Sequence, residues 1–333
     1  MQFLSYVLFQ LDEARRYIED GRLQHLRLAF LLLDNAVEIQ MDRRIKEDLN
    51  RDEFMERLRN NVLLIAARTQ VPQELQEVID WTPLTRSEKL RLDRYFDEKV
   101  AYMVGRGGHL DASLAGPLKH LHRYRNEAYH RAKIRPETIR TATLILLEIN
   151  CQMLLTVSPG ACSMSSNEDY SWLAERFHVK SFLSDTQLQS VVDEIRSGLL
   201  PSDEAVAGAL ADHLRDRFSE LDDSLDFVVK NGRGAKDKEA ALNECEHYAE
   251  VQRVARQSQP PAANAFVPKY SMRSIQELEA RLPQVRSAPS RLDAFDRFAI
   301  IESELEPVEG CVYEIAGQID EAIQLAIDAA RGK

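Results

Sequence analysis

The sequence predicts an all-α protein, and three observations lead to that fold class. Apolar residues recur at helical spacing along most of the chain. No segment shows the alternation of period two that is expected of a half-buried strand. The 13 glycines and 12 prolines among 333 residues are too few for a disordered or fibrous chain. A chain of this length, 44 % hydrophobic, can build two domains of ordinary size.

Two breaks divide the first seventy residues into three expected helices. Gly21 predicts the end of the first helix. Asn50 can act as a capping residue, and the acidic Asp52 and Glu53 after it suit the first turn of a new helix. The three helices are therefore expected over residues 2–20, 22–48 and 51–68.

Glycine and proline also mark the helices that follow. A helix over residues 86–104 is expected to stop at Gly105-Arg106-Gly107-Gly108. Gly116-Pro117 opens the next helix, because proline is tolerated in a first turn. Arg135 precedes a proline and is therefore pushed away from helical angles. We expect that helix to end by residue 132 and an apolar helix to run from 136 to 157.

The chain beyond residue 165 is expected to stay helical. Pro260-Pro261-Ala262-Ala263-Asn264 is the best linker in it, and Ser274 with Glu277 fits a capping box. The helices are expected over residues 185–198, 203–229, 236–258, 271–282, 289–305 and 307–331. In the last helix, apolar residues at spacings of four and three form a seam that suits either a bundle or an intermolecular coiled coil. The seam consists of Val308, Val312, Ile315, Ile319, Ala322 and Ala326.

Charge is divided unevenly between the two halves of the chain. Residues 1–160 carry 24 Lys or Arg and 23 Asp or Glu, a net charge of +1, whereas residues 161–333 carry 19 and 31, a net charge of −12. We therefore expect one domain over 1–160 and an acidic helical domain over 165–333. The acidic domain offers no chemical motif, and its expected role is regulation, assembly or partner binding.

A basic stripe falls within residues 119–140. Only Glu127 and Glu137 oppose its seven basic residues, which leaves a local charge of +5. Such a stripe can hold phosphates even where the global field does not attract them, and the alternative is a solvated helix face. The basic residues are Lys119, Arg123, Arg125, Arg131, Lys133, Arg135 and Arg140.

Composition also bears on compartment and cofactors. The four cysteines are far apart without a Cys-x-x-Cys pair, so neither a disulfide framework nor a zinc cluster is expected. The N-terminus has no basic lead, and the apolar runs are short and interrupted by acids, so no signal peptide or membrane span is expected. These features predict a cytoplasmic protein without a cofactor. The pair His120 and His122 is too weak a pattern to predict a metal site.

The segment Arg125-Asn126-Glu127-Ala128-Tyr129-His130 carries the clearest chemical pattern in the chain. Arginine stays charged and offers a planar fork that fits phosphate oxygens. Histidine accepts and returns protons near neutral pH. Arg125, Asn126 and His130 are therefore the candidate catalytic residues for cleavage of a phosphodiester without a metal.

This spacing resembles the R-x4-6-H motif, usually with Asn, His or Asp after the arginine, of the HEPN (higher eukaryotes and prokaryotes nucleotide-binding) domains. The resemblance covers residues 1–160 and implies a HEPN-like up-and-down helical bundle. It also implies a homodimer in which the two motifs face each other across one composite cleft. One His130 would then deprotonate an RNA 2′-hydroxyl, and the other His130, or water, would protonate the leaving 5′-oxygen. The products would be a 2′,3′-cyclic phosphate and a 5′-hydroxyl.

Other residues are expected to support this chemistry. Asp34 and Glu38 are one turn apart in an apolar stretch, where a free carboxylate is costly unless Arg125 or His130 pairs with it. Tyr129 could stack on a base, although a tyrosine in a bundle also suits the core. The residues expected to contact RNA are Lys119, His122, Arg123, Arg131 and Lys133.

Two functions from different classes follow from these patterns. The first is a metal-independent RNA endonuclease, a toxin or phage-defence effector that a protein inhibitor or activator could control. The second is a catalytically silent HEPN-like scaffold that binds nucleotide, RNA or a protein partner. Ala132 stands where HEPN toxins paired with nucleotidyltransferase antitoxins usually carry a modifiable tyrosine, so control by modification there is not expected.

Overall fold

The computed structural model confirms the all-α fold class and divides the chain into two compact units, Met1–Leu200 and Pro201–Lys333. The only strands in its described residues are two of three residues each, β1 and β2. The structure describes residues 2–66, 72–130, 135–157, 161–163, 171–179, 182–232, 234–255 and 266–331.

The first unit is built on the helix pair α1 (Gln2–Asp20) and α2 (Leu23–Ala66). Gly21 joins them in the left-handed region, with φ of 73°, where glycine pays no steric cost. The expected end of the first helix is thereby confirmed. Each helix buries an apolar face against the other and against the helices that follow. The buried residues of this pair include Leu4, Val7, Leu11, Ile18, Phe30, Leu33, Val37 and Met41.

The expected break near residue 50 is wrong, because α2 continues unbroken for 44 residues. No glycine or proline lies between residues 22 and 71 to interrupt it. Asp52, which was expected in the first turn of a new helix, is instead a buried carboxylate that holds a distant segment. It accepts hydrogen bonds from Trp81 Nε1 at 3.2 Å and Leu84 N at 3.1 Å, and pairs with Lys89 and Arg106 at 3.2 and 3.3 Å.

The segment expected as one helix over 86–104 is two helices. α4 (Arg86–Arg94) and α5 (Phe96–Val104) meet at Tyr95, whose backbone is extended with φ −116° and ψ 121°. No glycine or proline marks this break in the sequence. A short helix that was not expected, α3 (Gln76–Asp80), precedes α4, and Gly105 ends α5 as expected.

The motif helix α6 (Ala115–His130) has Pro117 in its first turn, as expected. The next helix, α7 (Ile139–Val157), begins three residues after Pro136 rather than at it. Within the described residues, Ile139–Thr156 is the one segment long and apolar enough to cross a membrane, and 67 % of it is buried inside the protein. Core helices of soluble proteins pass the same test, so this segment is weak support for a membrane span.

The first unit ends beyond the boundary expected from charge. β1 (Ala161–Ser163) pairs antiparallel with β2 (Phe182–Ser184), and the short α8 (Ser171–Phe177) lies between them. The next helix, α9 (Asp185–Arg196), buries Val192 and Ile195 and packs on α7 and α1. The packing therefore places residues up to Leu200 with the first unit, although the acidic composition starts near residue 161.

The second unit contains five helices in its described residues. Ser271, and not Ser274, caps α12, because its side chain accepts from Ser274 N at 3.1 Å. The linker expected at Pro260-Pro261-Ala262 lies outside the described residues. The helices are α10 (Asp203–Asn231), α11 (Lys238–Ala255), α12 (Met272–Glu279), α13 (Leu282–Arg286) and α14 (Arg291–Ala330).

The expected break near residue 306 is also wrong, because α14 runs through Pro307. Proline removes one backbone donor, but buried Leu305 and Val308 on either side hold the helix to its neighbours. Of the predicted seam, Val308 and Val312 are buried inside this unit, whereas Ala322 and Ala326 are exposed. Packing of the seam inside a helical bundle is therefore confirmed for its first two residues, Val308 and Val312, alone.

Candidate functional site

The apolar face of the motif helix α6 is buried, and the polar residues of this helix face α2 and α5. Leu118, Leu121 and Tyr124 are buried at helical spacing. His122 and Arg125, three residues apart, lie on one face of this helix. That face meets the part of α2 that carries the two acids predicted as supporting residues.

Asp34 connects the histidine and the arginine. His122 Nδ1 lies 3.1 Å from Asp34 Oδ1, and Arg125 Nε lies 3.1 Å from Asp34 Oδ2. The Asp34 side chain is only 2 % exposed, so its charge is balanced by these contacts rather than by bulk water. The partner that the sequence required for Asp34 is thus Arg125, and His122 is a second partner.

Glu38 lies one turn further along α2 and completes the cluster. Its Oε1 is 3.6 Å from His122 Nδ1 and 3.9 Å from Arg125 Nη2. Burial, reinforced by the neighbouring Asp34 carboxylate, raises the pKa of Glu38 above its usual value. The two carboxylates therefore compete for the same positive partners, and Asp34 has the closer contacts.

These side chains form the one set in the described residues with the donor geometry of a metal site. Asp34, Glu38 and His122 each offer one ligand atom, and these atoms lie within 4.8 Å of one another. Arg125 already supplies a positive charge beside both carboxylates. A divalent ion would have to compete with this guanidinium, so the residues fit a guanidinium better than a metal.

The His122 ring is held on a second side by an aromatic residue of α5. Phe96 stacks on it with ring centroids 3.8 Å apart and an angle of 3° between the planes. A carboxylate can only accept a hydrogen bond, so the contact with Asp34 assigns the proton of neutral His122 to Nδ1. Nε2 then carries the lone pair that can accept a proton.

A cavity of about 950 Å³ opens beside this cluster. His122 and Asn126 line it, whereas Arg125 is not among its described lining residues. Arg125 Nη1 instead donates to Asn126 Oδ1 at 2.9 Å. Arg125 therefore influences the cavity indirectly, through its contacts with Asp34 and Asn126. The remaining described lining residues are Tyr95, Phe96, Asp97, Glu98, Lys119, His120, Arg123 and Glu127.

The basic stripe of the sequence divides into two classes in the fold. Lys119 and Arg123 line the cavity, and neither makes an ion pair within the described part of the chain. Arg135 is used internally, since it binds Glu127 at 2.7 Å and lies 4.0 Å above the Tyr124 ring. Among the described residues of the stripe, Lys119 and Arg123 are therefore the best placed to meet a phosphate in the cavity.

His120 differs in character from its neighbour two residues later. Burial and the nearby positive Arg123 lower the pKa of His120 to about 4. At neutral pH this imidazole is uncharged, and it adds a hydrogen-bonding group to the cavity wall without adding charge.

Four of the predicted site residues lie wholly or partly outside the part of the chain that the structure describes. Tyr129 and His130 form the end of α6, but their side chains lie outside the described residues. Arg131 and Lys133 lie outside the described residues altogether. The contribution of these four residues to the site stays a prediction.

The sequence placed His122 among the RNA contacts and did not connect it with Asp34. Asp34 and Glu38 are four residues apart on one helix, and His122 and Asn126 are four apart on another, which could have signalled two facing polar edges. Phe96 and Tyr95 had no signal, because the helix break that positions them carries no marker residue.

Comparison with protein families, with characterised proteins and with solved structures finds no match to this chain. The HEPN resemblance therefore rests on the Arg125–His130 motif alone, and the chemistry of the site rests on its geometry.

Proposed function

We propose that this protein is an RNA endonuclease that cleaves without a metal, by attack of the 2′-hydroxyl on the adjacent phosphorus. The observation that carries the proposal is the contact of Asp34 with both His122 and Arg125, beside a cavity lined by Lys119 and Arg123, which make no ion pair with any described residue. A histidine oriented by a carboxylate, beside a cavity wall that includes Lys119 and Arg123, is suited to proton transfer at a phosphodiester.

In this proposal His122 is the general base. Its Nε2 takes the proton of the 2′-hydroxyl, and the 2′-oxygen forms a bond to phosphorus as the bond to the 5′-oxygen breaks. A second acid must give a proton to that leaving oxygen, and His130 is our candidate. Asp34 is a positioning residue, because it holds the His122 tautomer and stabilises the imidazolium that forms.

The cationic side chains divide the remaining work. Lys119 and Arg123 line the cavity and would neutralise charge that develops on the non-bridging phosphate oxygens. Arg125 would hold Asp34 in place and orient Asn126. The sequence predicted that Arg125 binds phosphate directly. In this proposal Arg125 instead positions other residues of the site.

The proposal is tested with the full chain and a single-stranded RNA labelled at its 5′ end. Cleavage in the presence of EDTA, with 2′,3′-cyclic phosphate ends, is the expected result. An otherwise identical substrate with one 2′-deoxy sugar should resist cleavage at that position alone. Cleavage at the deoxy position would show that the 2′-hydroxyl is not the nucleophile and would overturn the mechanism.

The three possible metal ligands make the EDTA arm informative. If activity is lost in EDTA and returns with Zn²⁺ or Mn²⁺, the cluster of Asp34, Glu38 and His122 is a metal site, and the general-base role of His122 is wrong. If activity is retained in EDTA, the two carboxylates need no metal ion beside Arg125 and His122.

The proposal includes the composite homodimer that the HEPN resemblance implies, with α6 of two copies facing each other. Sedimentation measures the association state. Mixing inactive His122→Gln and inactive His130→Gln proteins tests whether residues of two chains share one site. Partial recovery of activity on mixing is expected. Two variants that form mixed dimers and stay inactive would contradict a shared site.

One observation favours the alternative, a scaffold that binds RNA without cutting it. Arg125 is engaged with Asp34 and lies outside the described cavity wall, as a purely structural arginine would. A protein that binds RNA with Lys119 and Arg123 but leaves it intact under all conditions would establish this alternative. A toxin or defence role belongs to the first function only.

A further inference from the structure

A basic surface surrounds Tyr95 at the junction of α4 and α5. It includes a depression of about 470 Å³, and no acidic residue is among its described lining residues. These lining residues are Arg86, Ser87, Leu90, Arg91, Arg94 and Tyr95. Tyr95 also lines the cavity beside His122, so the depression and the cavity share one wall. We call this surface the Tyr95 surface.

The backbone of Tyr95 is held by hydrogen bonds on both sides, and its side chain is exposed. Its backbone N donates to Arg91 O at 3.0 Å, and its carbonyl accepts from Lys99 N at 3.1 Å, so the residue closes one helix and opens the next. Its side chain remains 56 % exposed. An exposed aromatic ring on a backbone held in this way, between two depressions, is suited to stack on a flat ligand.

The cations around this ring are available for a ligand. Arg86 and Arg94 make no ion pair within the described chain, and Arg91 has only a distant one, 3.9 Å from Glu98. On the cavity side of Tyr95, Lys119 and Arg123 are likewise without ion pairs. Of the acids that line the cavity, Glu127 is already bound by Arg135. Asp97 and Glu98 also line the cavity, so the positive charge is concentrated on the α4 side of Tyr95, where the described lining of the depression has no acid.

We infer that the Tyr95 surface binds the single-stranded RNA that leaves the cavity, with one base stacked on Tyr95 and the adjacent phosphates on Arg86 and Arg94. This inference rests on the proposed function for the identity of the ligand as RNA. Only an unpaired base can present its face to a side chain, so a single strand fits and a duplex does not. An acidic protein segment would use the arginines but would not require the ring.

Binding is measured separately from cleavage by using an oligoribonucleotide that is 2′-O-methylated throughout and therefore has no nucleophile. Its fluorescence anisotropy reports the affinity of the full chain. Tyr95→Ala should weaken binding about 5- to 150-fold, the range that base stacking on an aromatic ring supplies. Tyr95→Phe should bind as well as the wild type. Tyr6→Ala is the matched control, because Tyr6 on α1 is 57 % exposed.

The phosphate contacts have their own readout. Loss of one phosphate contact lowers the slope of log affinity against log salt by about 0.7 for a single strand, so Arg94→Gln should show this change. Arg57→Gln, at an arginine that is 81 % exposed on α2, should not. Heparin, a polyanion without bases, should lose affinity in Arg94→Gln but not in Tyr95→Ala.

The outcomes separate this inference from the proposed function. Equal affinities of Tyr95→Ala and Tyr6→Ala would overturn the Tyr95 surface even if the protein cuts RNA. A duplex that binds as tightly as the single strand would also overturn it. If Tyr95→Ala loses affinity while the wild type never cleaves RNA, the surface stands and the proposed chemistry falls.

Discussion

Asp34 Oδ1 lies 3.1 Å from His122 Nδ1, which joins a buried carboxylate of α2 to a histidine of α6 that lines the cavity. The same carboxylate holds Arg125 through its other oxygen. Two side chains of the motif helix thus depend on one acid from a helix nearly ninety residues earlier in the chain.

This relationship predicts that Asp34→Asn reduces RNA cleavage by about 10²–10⁴-fold, the size of a proton-transfer contribution. An amide can donate to Nδ1 as well as accept from it, so the His122 tautomer is no longer fixed. Initial rates against pH measure the effect, because the variant should also shift the pH profile. Glu53→Gln, an exposed acid on the same helix, is the control. A normal rate in a folded Asp34→Asn protein would remove Asp34 from the mechanism.

Glu38 should lower the stability of the protein at neutral pH. Its folded pKa is raised by burial, so its stabilising contribution is present at low pH and is lost as pH rises through the folded pKa. Glu38→Gln is therefore expected to raise the denaturant midpoint at neutral pH, and the gain should vanish in acid. A lower midpoint at neutral pH would show that its contacts with His122 and Arg125 outweigh its desolvation.

The parts of the fold that the sequence could predict are those with a local cause. Gly21 ends its helix through its own backbone freedom, at a φ of 73°, and Pro117 lies in the first turn of α6, where proline is tolerated. The pairing of Asp34 with Arg125 was predictable, because a carboxylate in an apolar stretch needs a partner and the motif supplies an arginine.

The parts that could not be predicted depend on distant residues. Asp52 was expected in the first turn of a helix, but it lies in the middle of α2, where it accepts hydrogen bonds from Trp81 and Leu84. The break at Tyr95 has no marker, and Pro307 does not break α14 because buried neighbours hold it. The contact between His122 and Asp34 depends on the packing of α6 against α2, which the sequence does not reveal.

His120 predicts a loss of stability in acid. Its folded pKa is lowered to about 4, chiefly by burial and then by Arg123, from an ordinary value of 6.5. A lowered pKa contributes stability above the unfolded value, and that contribution is lost as pH falls between about 6.5 and 4. His120→Gln should therefore lose less stability over this window than the wild type.

Tryptophan fluorescence is the measurement for His120, because both tryptophans of the chain, Trp81 and Trp172, belong to the first unit. His25→Gln is a suitable control in the same unit. Parallel pH dependences of His120→Gln and the wild type would show that His120 is not the group that titrates.

The second unit contains a buried ion network whose loss should be costly. Arg217 Nη1 lies 2.9 Å from Glu302, and its Nη2 lies 2.6 Å from Glu309. Arg217→Ala would leave two buried carboxylates without this partner and should destabilise the unit by about 3–5 kcal/mol. Arg215→Ala, two residues earlier and 59 % exposed, should change stability by less than about 0.5 kcal/mol. Far-ultraviolet circular dichroism in denaturant compares them, and equal midpoints would refute the prediction.

Asp52 gives a test that separates its two possible roles in α2. As an acid in the first turn of a helix it would tolerate Asn, because only its favourable interaction with the helix dipole, about 0.3–1 kcal/mol, would be lost. As a buried partner it would not, because Lys89 and Arg106 lose their counter-charge. Because these two cations are partly exposed, we expect Asp52→Asn to cost about 3 kcal/mol, the lower end of the range for breaking a buried pair. Asn50→Ala, the residue that resembled a cap, should be nearly neutral. Trp81 donates to Asp52 and reports the change by its fluorescence in denaturant. A stable Asp52→Asn protein combined with a destabilised Asn50→Ala protein would restore the helix start near residue 50.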